Sequence, residues 1–363
     1  MLFGGRSAEH EISCISARSV IDALDPERNE VVPIGITRDG RWHLLPGPPS
    51  LPSETGRMPE VTDGTGRTVD LDTEGASSEL VVADGSRTPI DVVFPVLHGP
   101  MGEDGSVQGM LELAGVPYVG AGVLGSAIGM DKAVQKTLFA SAGLPVVAWD
   151  VVRESEWTED PERVAARAET LAYPVFVKPA TLGSSVGVTK AHAPDELAPA
   201  LAEAFRYARK ALIEHGIEGA REVECAVLGN DDPVASVAGE IVPLGHEFYD
   251  YKAKYLDELG ARLEIPAALD PATMEGIQRM AVAAFRATEC AGMARVDFFL
   301  GGDDLWVNEI NTIPGFTSIS MYPKLWQASG LSYPELVERL IDLAIERREA
   351  ERGKSTAVRE LEG

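Results

Sequence analysis

Short β-forming runs alternate with helical patterns along this chain, and the alternation constrains its fold more than any other feature. An apolar run at residues 1–3 is followed by a helical pattern over 11–24, by β-rich runs at 31–37 and 90–98, and by a second helical pattern over 105–114. A helix between two strands lets the strands lie parallel in one sheet. The first third therefore predicts an α/β unit with a parallel sheet.

Residues 46–89 interrupt this alternation. The segment is rich in Pro, Gly, Ser and Thr, which favour turns, and its acidic residues outnumber the basic ones. Two β-forming pieces inside it, at 69–71 and 80–82, predict a hairpin. We interpret the segment as a solvated surface excursion without a chemical role.

The rest of the chain predicts two further units of mixed α and β structure. Helices are expected at 130–142, 160–171, 195–210, 271–291 and 334–349. Strands are expected at 144–152, 174–178, 211–213, 222–228, 234–242, 293–300 and 306–310. We expect an N-terminal domain (1–122), a central lobe (123–212), a C-terminal lobe (213–350) and a frayed tail (351–363).

Charge and cysteine content exclude several classes of protein. With 57 acidic and 32 basic residues the net charge is -25, so neither a nucleic-acid partner nor an anionic membrane surface is expected. Cys14, Cys225 and Cys290 are far apart and form no CxxC pair, as in a reduced protein. The chain shows neither a signal-peptide pattern nor an apolar run of about 18 residues, so we expect a cytoplasmic protein without a membrane segment.

One glycine motif suggests a dinucleotide site. GAGVLG at 120–125 matches GxGxxG and follows the β-forming residues 117–119. The next acidic residues are Asp131, which is too close, and Asp150, which is too far for the ribose-binding carboxylate expected about 20 residues on. The motif also follows a complete sheet. A nicotinamide-dependent oxidoreductase is therefore a weak alternative.

A second glycine-rich segment fits phosphate better. In KPATLGSSVGV (178–188), a β-forming run delivers Lys178, and small residues follow from Gly183 to Gly187. Backbone N–H groups in such a loop can approach phosphate oxygens closely. The order of residues is not that of a P-loop, and by itself the segment fits a flexible turn as well as a phosphate cradle.

Candidate metal ligands are concentrated in the segments RVDFFL and NEINTIPGF. Alternate residues of a strand share a face, so Arg295 points with Asp297, and Glu309 points with Asn311. Apolar neighbours in both segments imply burial, and buried carboxylates need a cation. On adjacent strands, Asp297, Glu309 and Asn311 would form an all-oxygen site suited to Mg²⁺ with bound phosphates.

Seven motifs, in order along nearly the whole chain, carry a family resemblance. They are GGRSAEHEIS (4–13), HGPMGEDG (98–105), MDK (130–132), KPATLGSSVGV, YDYKAKYL (249–256), ARVDFFL and NEINTIPGFTSIS (308–320). Together they resemble the D-alanine:D-alanine ligase family of ATP-grasp enzymes. The resemblance implies an N-terminal, Rossmann-like pre-ATP-grasp domain with a parallel sheet, followed by a two-lobed ATP-grasp fold.

The resemblance also implies an activity. In this family ATP phosphorylates the carboxylate of one D-alanine, and the amine of a second D-alanine attacks the acylphosphate to give D-alanyl-D-alanine for peptidoglycan. It implies two Mg²⁺ ions, or Mn²⁺, and allows a monovalent cation such as K⁺ as an activator. D-alanine is the expected small-molecule partner, and a homodimer is the expected assembly.

The resemblance assigns ATP contacts residue by residue. Lys132 and Lys178 match its phosphate-binding lysines, and Glu214 and Glu222 match its adenine-side and ribose-side acids. The apolar walls expected for the purine are Ile217, Phe248 and Phe299. Further ATP contacts are expected from Ser185 and Lys254.

The resemblance also assigns the metal site and the oxyanion donors. Asp297, Glu309 and Asn311 match a two-metal site in which Glu309 lies between the ions. Arg295 and the backbone N–H of Gly315 match the donors to the oxyanion of the tetrahedral intermediate, where each donor contributes about 3 kcal/mol.

Substrate contacts follow from the same match. Glu9 matches the acid that binds the ammonium of the first D-alanine, and it is expected to be linked through Ser184 to Tyr255. The other matching positions are His98, Glu103, Ser320 and Met321. The first two lie on the side of the first D-alanine, and the last two on the side of the second.

Tyr255 bears on the second substrate. Relatives that make the D-alanine:D-lactate ester lack this tyrosine, so its presence favours an amine nucleophile and a dipeptide product. Two alternatives stay open: the same fold with D-lactate or D-serine as second substrate, and a non-catalytic nucleotide-binding regulator. A regulator would be expected to have lost a metal ligand or Arg295, and the sequence retains them.

Overall fold

The computed structural model describes residues 1–50, 58–73, 78–243 and 261–354. Over these residues the strands form three sheets, each drawn from one part of the chain. Strands and helices are numbered below in chain order. Among the described helices, none is both long enough and apolar enough to cross a bilayer.

The N-terminal sheet has the order β1-β2-β3-β4-β5-β6. The elements of this part are β1 (Leu2–Gly4), α1 (His10–Ala23), β2 (Ile34–Ile36), β3 (Trp42–Leu44), β4 (Arg67–Leu71), β5 (Glu79–Val82), β6 (Arg87–Pro89) and α2 (Ser106–Ala114). β1 and β2 pair in parallel, as predicted. The later strands pair antiparallel because the excursion folds into a meander that widens the sheet. Its hairpin, with Val69 opposite Val82, confirms the prediction.

The β-rich run at 90–98 is not the continuous strand that was expected. It forms isolated parallel bridges to Leu2 and Tyr118. Pro95 has no N–H to donate, which interrupts the ladder. The run is nevertheless buried from residue 93 onward and delivers His98 to the interior.

The central sheet has the order β7-β10-β8-β9. The elements of this part are α3 (Val123–Met130), α4 (Lys132–Ser141), β7 (Trp149–Arg153), α5 (Glu154–Glu159), α6 (Pro161–Glu169), β8 (Val175–Pro179), β9 (Thr189–Ala191), a 3₁₀ turn (Pro194–Glu196), α7 (Leu197–Phe205) and β10 (Lys210–His215). β10 pairs antiparallel with both β7 and β8. The boundary expected between residues 212 and 213 therefore falls inside a central strand.

The C-terminal sheet has the order β13-β12-β11-β14-β15, and all its pairings are antiparallel. The elements of this part are β11 (Arg221–Gly229), β12 (Val234–Pro243), β13 (Ala261–Glu264), α8 (Pro271–Ala287), β14 (Gly292–Gly301), β15 (Asp304–Asn311), α9 (Met321–Ala328) and α10 (Tyr333–Arg352). β14 and β15 are the two strands expected to carry the metal ligands. β15 lies at the edge of the sheet.

The helices differ from expectation at three points. The helix expected from residue 130 is α4, which a separate α3 precedes. Asp131 lies between the two, and its carboxylate accepts the backbone N–H of Ala133 at 3.1 Å and of Val134 at 3.2 Å. It therefore caps the start of α4. The periodicity does not predict α5 or α9, because helices of six and eight residues complete only about two turns.

The N-terminal and C-terminal parts share one hydrophobic core. Val20 and Val96 pack in the same cluster as Met293 and Leu340, and all four side chains are fully buried. The central sheet packs with α6 and α7 in a separate core. The N-terminal part also has a core of its own, which includes Ile34 and Leu111. Among the described residues, the central lobe contributes none to the core that the N-terminal and C-terminal parts share.

The GAGVLG motif lies within the contact between the N-terminal and C-terminal parts. Arg347 of α10 donates to the carbonyl oxygens of Gly120 and of Tyr118, the latter at 3.0 Å, and its guanidinium lies 4.5 Å from the Tyr118 ring centroid. A Cβ at Gly125 would lie 2.6 Å from the Glu289 carbonyl oxygen. The motif is therefore explained by close packing, without a pyrophosphate ligand.

Candidate active site

A cavity of about 420 Å³ lies between the central and C-terminal sheets. β8 and the loop after it form one wall, and β11, β14 and β15 form the other. Expected site positions that line it are Lys132, Lys178, Ser184, Ser185, Glu214, Ile217, Glu222, Asp297, Phe299 and Glu309. Its volume is in the range of small-molecule sites, roughly 300–1,000 Å³.

Two neighbouring strands bring the expected metal ligands together. Asp297 of β14 lies opposite Glu309 of β15, and Arg295 lies opposite Asn311. Asn311 Nδ2 donates to Asp297 Oδ2 at 3.0 Å. A β-bulge shifts the register directly after Asp297. The predicted adjacency of the two strands is thus observed, and it gathers three oxygen-bearing side chains in one cluster.

Arg295 is held between two carboxylates. Its Nε and Nη2 each donate at 2.7 Å to an oxygen of Asp297, and Nε lies 3.0 Å from Oε2 of Glu224. Burial lowers the pKa of the guanidinium, but Asp297 and Glu224 hold that pKa well above its usual value. Arg295 is therefore a fixed, fully charged donor.

Glu224 is a residue that the sequence reasoning missed. It lies on β11 directly opposite Asp297, and it is 6% exposed. The alternation of β11 places it on the same face as Glu222. This alternation could have indicated from the sequence that Glu224 faces the site. Only the pairing with β14 shows that it contacts Arg295.

Helix α4 packs against the edge strand β15 and places a lysine at the cavity. Lys132 Nζ lies 2.9 Å from Glu309 Oε2 and donates to the Leu182 carbonyl oxygen at 3.0 Å. The carboxamide of Gln135 bonds both backbone groups of Ile310, accepting its N–H at 3.0 Å and donating to its C=O at 3.2 Å. Gln135 therefore takes the place of the strand neighbour that an edge strand lacks. Sequence reasoning missed this contact.

Two lysines bind one buried carboxylate. Lys136 pairs with Oε1 of Glu214, and Lys178 pairs with Oε2. Burial raises the pKa of the Glu214 carboxyl, but the two ammonium groups bring that pKa below its ordinary value. Likewise, burial lowers the pKa of Lys178, but Glu214 raises it above the usual value. Glu214, expected beside adenine, is therefore also the counter-ion of the phosphate-side lysine.

An apolar slot adjoins this charged cluster. Lys178 Nζ lies 5.9 Å from the ring centroids of both Phe176 and Phe299. Ile217 and Glu222 line the same cavity, and Glu222 lies opposite Phe299 in the strand register. A slot with aromatic walls and a carboxylate at its edge suits a nucleoside.

The loop after β8 reaches across to the N-terminal part. Ser184 Oγ donates to Glu9 Oε1 at 2.6 Å. Ser184 and Ser185 have φ values of 52° and 58°, in the left-handed region that non-glycine residues rarely adopt. The predicted link between Glu9 and Ser184 is present. Three expected positions lie outside the described residues: Phe248, Lys254 and Tyr255.

His98 and Glu103 lie near Glu9, but they are not among the residues that line the cavity. His98 Nδ1 is 3.3 Å from the Ile313 carbonyl oxygen, and the Gly99 N–H donates to Glu103 Oε2 at 2.6 Å. Burial, with a further contribution from Glu9, raises the pKa of the Glu103 carboxyl to about 8. Burial lowers the pKa of His98. Glu9 therefore has two neighbours that favour their neutral forms.

The positions expected around the second substrate lie at the start of α9. Ser320 Oγ accepts the Thr317 N–H at 3.1 Å, and a Cβ at Gly315 would lie 3.1 Å from the same oxygen. The absence of a side chain at Gly315 thus relieves a tight contact. Met321 is 7% exposed and packs in the shared core, so its contact with substrate stays a prediction.

The oxygen ligands fit a hard divalent cation. In the part of the chain that the structure describes, no three His, Cys, Asp or Glu side chains are grouped to hold a metal ion. The amide oxygen of Asn311 would supply a third oxygen ligand beside the carboxylates of Asp297 and Glu309. Such a set suits Mg²⁺ or Mn²⁺ whose coordination is completed by water and phosphate.

Comparison with known proteins identifies the family. Residues 1–121 match the model of the D-ala D-ala ligase N-terminus, and residues 138–342 match that of its C-terminus. The chain belongs to the D-Ala–D-Ala ligase family. A D-alanine–D-alanine ligase of Acetivibrio thermocellus is 51% identical to this family member over an alignment of 361 positions, which covers 96% of this chain and 95% of the relative.

Solved structures of the ligase family share the fold. The D-alanine-D-alanine ligase from Coxiella burnetii is 38% identical, with a TM-score of 0.83 over 97% of this chain and 94% of its own. A D-Ala:D-Ser ligase from Enterococcus faecalis is 34% identical, with a TM-score of 0.81 over 94% of this chain and 98% of its own. The predicted ATP-grasp fold is confirmed.

Proposed function

We propose that this family member is an ADP-forming D-alanine–D-alanine ligase, which joins two D-alanines for peptidoglycan precursors. The observation that carries the proposal is the cavity lined by Lys132, Lys178, Asp297 and Glu309, with Arg295 bonded to Asp297. Such cations suit the phosphates of a nucleoside triphosphate, and the carboxylates suit its metal ions. The similarity to a ligase over 96% of the chain supports the same reaction.

In the proposed complex, ATP lies along the cavity. The purine packs in the slot of Ile217 and Phe299, and Glu222 accepts hydrogen bonds from the ribose hydroxyls. Lys132 and Lys178 face the triphosphate. Their carboxylate partners, Glu309 and Glu214, hold the two ammonium groups at the cavity.

Divalent cations would be held by Asp297, Glu309 and Asn311. We propose two Mg²⁺ ions, or Mn²⁺, with a monovalent cation such as K⁺ as an activator. When bound, the divalent ions supply charge neutralisation on the phosphates. The all-oxygen ligand set supports this part of the proposal.

Other residues of this chain bind the first D-alanine and stabilise the attack by the second. Glu9, held by Ser184 at 2.6 Å, binds the ammonium of the first D-alanine beside His98 and Glu103. The carboxylate of this first D-alanine is a poor electrophile until phosphorylation converts one of its oxygens into a leaving group. Arg295, with the N–H of Gly315, then stabilises the oxyanion that forms when the second amine attacks.

D-serine is the main alternative for the second substrate, since one structural neighbour is a D-Ala:D-Ser ligase. The 51% identity to a D-alanine–D-alanine ligase favours D-alanine. Contacts of Ser320 and Met321 with the second substrate, and selection of an amine by Tyr255, stay predictions.

The test is phosphate release from ATP with and without D-alanine, with product analysis by mass spectrometry. We expect release that depends on D-alanine, a dipeptide product, and activity lowered at least about a hundredfold in Asp297→Ala. Parallel reactions with D-serine and D-lactate measure the choice of nucleophile. Release without D-alanine, activity retained in the variant, or a mainly D-lactate ester product would each contradict the proposal.

We further propose a cytoplasmic homodimer. For the chain itself we propose an N-terminal domain (1–122) followed by two grasp lobes, with the boundary between the lobes moved from 212/213 to the end of β10 at His215. Light scattering of the full chain, which separates a mass near 38.8 kDa from twice that value, tests the assembly.

A further inference from the structure

Lys136 is a buried cation that the proposed reaction does not use directly. It lies on α4 one helical turn after Lys132, and its side chain is 2% exposed. It is absent from the residues that line the cavity. Lys136 is therefore not placed to contact a ligand in the cavity, and the cavity residue it does contact is Glu214.

Glu214 couples Lys136 to the cavity. One carboxylate oxygen pairs with Lys136 and the other with Lys178. Lys178 and Glu214 line the cavity, whereas Lys136 lies behind Glu214. The three residues form a chain of charges in which the outer lysine faces the ligand and the inner lysine faces the protein.

The charge balance gives the inner lysine a function. With only Glu214 and Lys178, the pair would be neutral, and an anionic ligand would meet the field of a buried carboxylate. Lys136 offsets that carboxylate, so the cluster as a whole is positive. Because charges act more strongly in a poorly hydrated interior, this difference is large for a polyphosphate.

We propose that Lys136 is a positioning residue for nucleotide binding, which neutralises Glu214 so that the charge of Lys178 is available to the triphosphate. This inference rests on the proposed function, because it concerns the ATP site of the ligase. A purely structural role would make Lys136 a mere counter-ion for Glu214. The two roles differ in their effect on nucleotide affinity. A positioning role predicts that loss of Lys136 weakens binding only while Glu214 keeps its charge, whereas a structural role predicts unchanged affinity in a folded variant.

The experiment compares five proteins: the wild type, Lys136→Arg, Lys136→Met, Glu214→Gln and the double variant Lys136→Met/Glu214→Gln. Isothermal titration with a non-hydrolysable ATP analogue and excess Mg²⁺ measures the Kd of each. Thermal melting shows which variants are folded. Binding by the wild type tests the proposed function separately, since a wild type that binds no analogue refutes the ATP site itself.

We expect Lys136→Met to raise the Kd at least about tenfold, equivalent to about 1.4 kcal/mol, and Lys136→Arg to remain within about threefold of the wild type. In the Glu214→Gln background, the further change Lys136→Met should alter the Kd by less than about threefold, because no buried carboxylate is left to neutralise; any contact of Glu214 with the nucleotide is lost from both of these proteins and cancels. If Lys136→Met alone does not fold, the comparison of Glu214→Gln with the double variant still provides the test. Wild-type affinity in a folded Lys136→Met, or a loss of about tenfold or more on adding Lys136→Met to Glu214→Gln, would overturn the proposal.

Discussion

Individual side chains around Glu9 differ in how they tolerate charge. Glu9 accepts a hydrogen bond from Ser184, whereas the neighbouring Glu103 has a pKa raised to about 8, first by burial and then by Glu9. Below about pH 8 Glu103 therefore favours its neutral form, which limits the repulsion between the two neighbouring carboxyl groups.

The raised pKa of Glu103 makes the stability of the protein depend on pH. Between its ordinary value of 4.5 and about 8, the folded protein keeps a proton that the unfolded chain has released. Stability therefore falls as pH rises through that window. We expect Glu103→Gln to show a smaller loss of stability over the same window, measured by urea unfolding at several pH values. Parallel curves for both proteins would show that Glu103 is not the group responsible.

At the scale of elements, α4 connects the two walls of the cavity. Asp131 caps the helix and also pairs with Lys210 of β10. Gln135 bonds Ile310 of β15, between two of the expected metal ligands. The start of this helix therefore affects the position of Lys132 relative to both sheets.

Substitutions at two helix-capping residues can distinguish an effect on stability from an effect on ATP binding. Asp131 caps α4, and Asp270 caps α8 by accepting the N–H groups of Ala272 at 2.9 Å and Thr273 at 3.1 Å. We expect Asp270→Ala to lower the free energy of unfolding by about 1 kcal/mol, and Asp131→Ala to lower it further because Asp131 also pairs with Lys210. Only Asp131→Ala should also raise the KM for ATP, because only α4 carries Lys132. Chemical unfolding and steady-state kinetics measure the two effects, and an equal change in KM for both variants would contradict this assignment.

At the scale of the whole molecule, the arrangement of cores predicts how the protein opens. Val20 of α1 and Leu340 of α10 lie in one core, whereas Val177 and Leu201 lie in the separate core of the central lobe. We expect amide hydrogen exchange to give similar opening free energies for α1 and α10, and lower ones for the central strands. Mass spectrometry of peptides from these elements measures this. Protection lost in α1 well before α10 would refute a shared core.

The sequence predicts local order better than it predicts contacts. β14 and β15 could be foreseen because polar and apolar residues alternate in them, and adjacency then brought Asp297 to Glu309. α3 could not, because a glycine-rich segment is typical of a turn and its packing against Glu289 is a tertiary effect. Lys136 and Gln135 were missed for a related reason. Polar residues on a helix usually face solvent, and only the fold shows that this face of α4 lies against two sheets.

The pairing of the cations in this site has a consequence for ligand choice. Lys132, Lys178 and Arg295 each already have a carboxylate partner: Glu309, Glu214 and Asp297. An incoming simple anion must compete with these internal carboxylates and would leave each displaced one without a counter-charge. A ligand that arrives with its own cations can exchange partners on both sides at once. We therefore expect the cavity to favour a metal-bound nucleotide over free phosphate, despite the net charge of -25 on the chain.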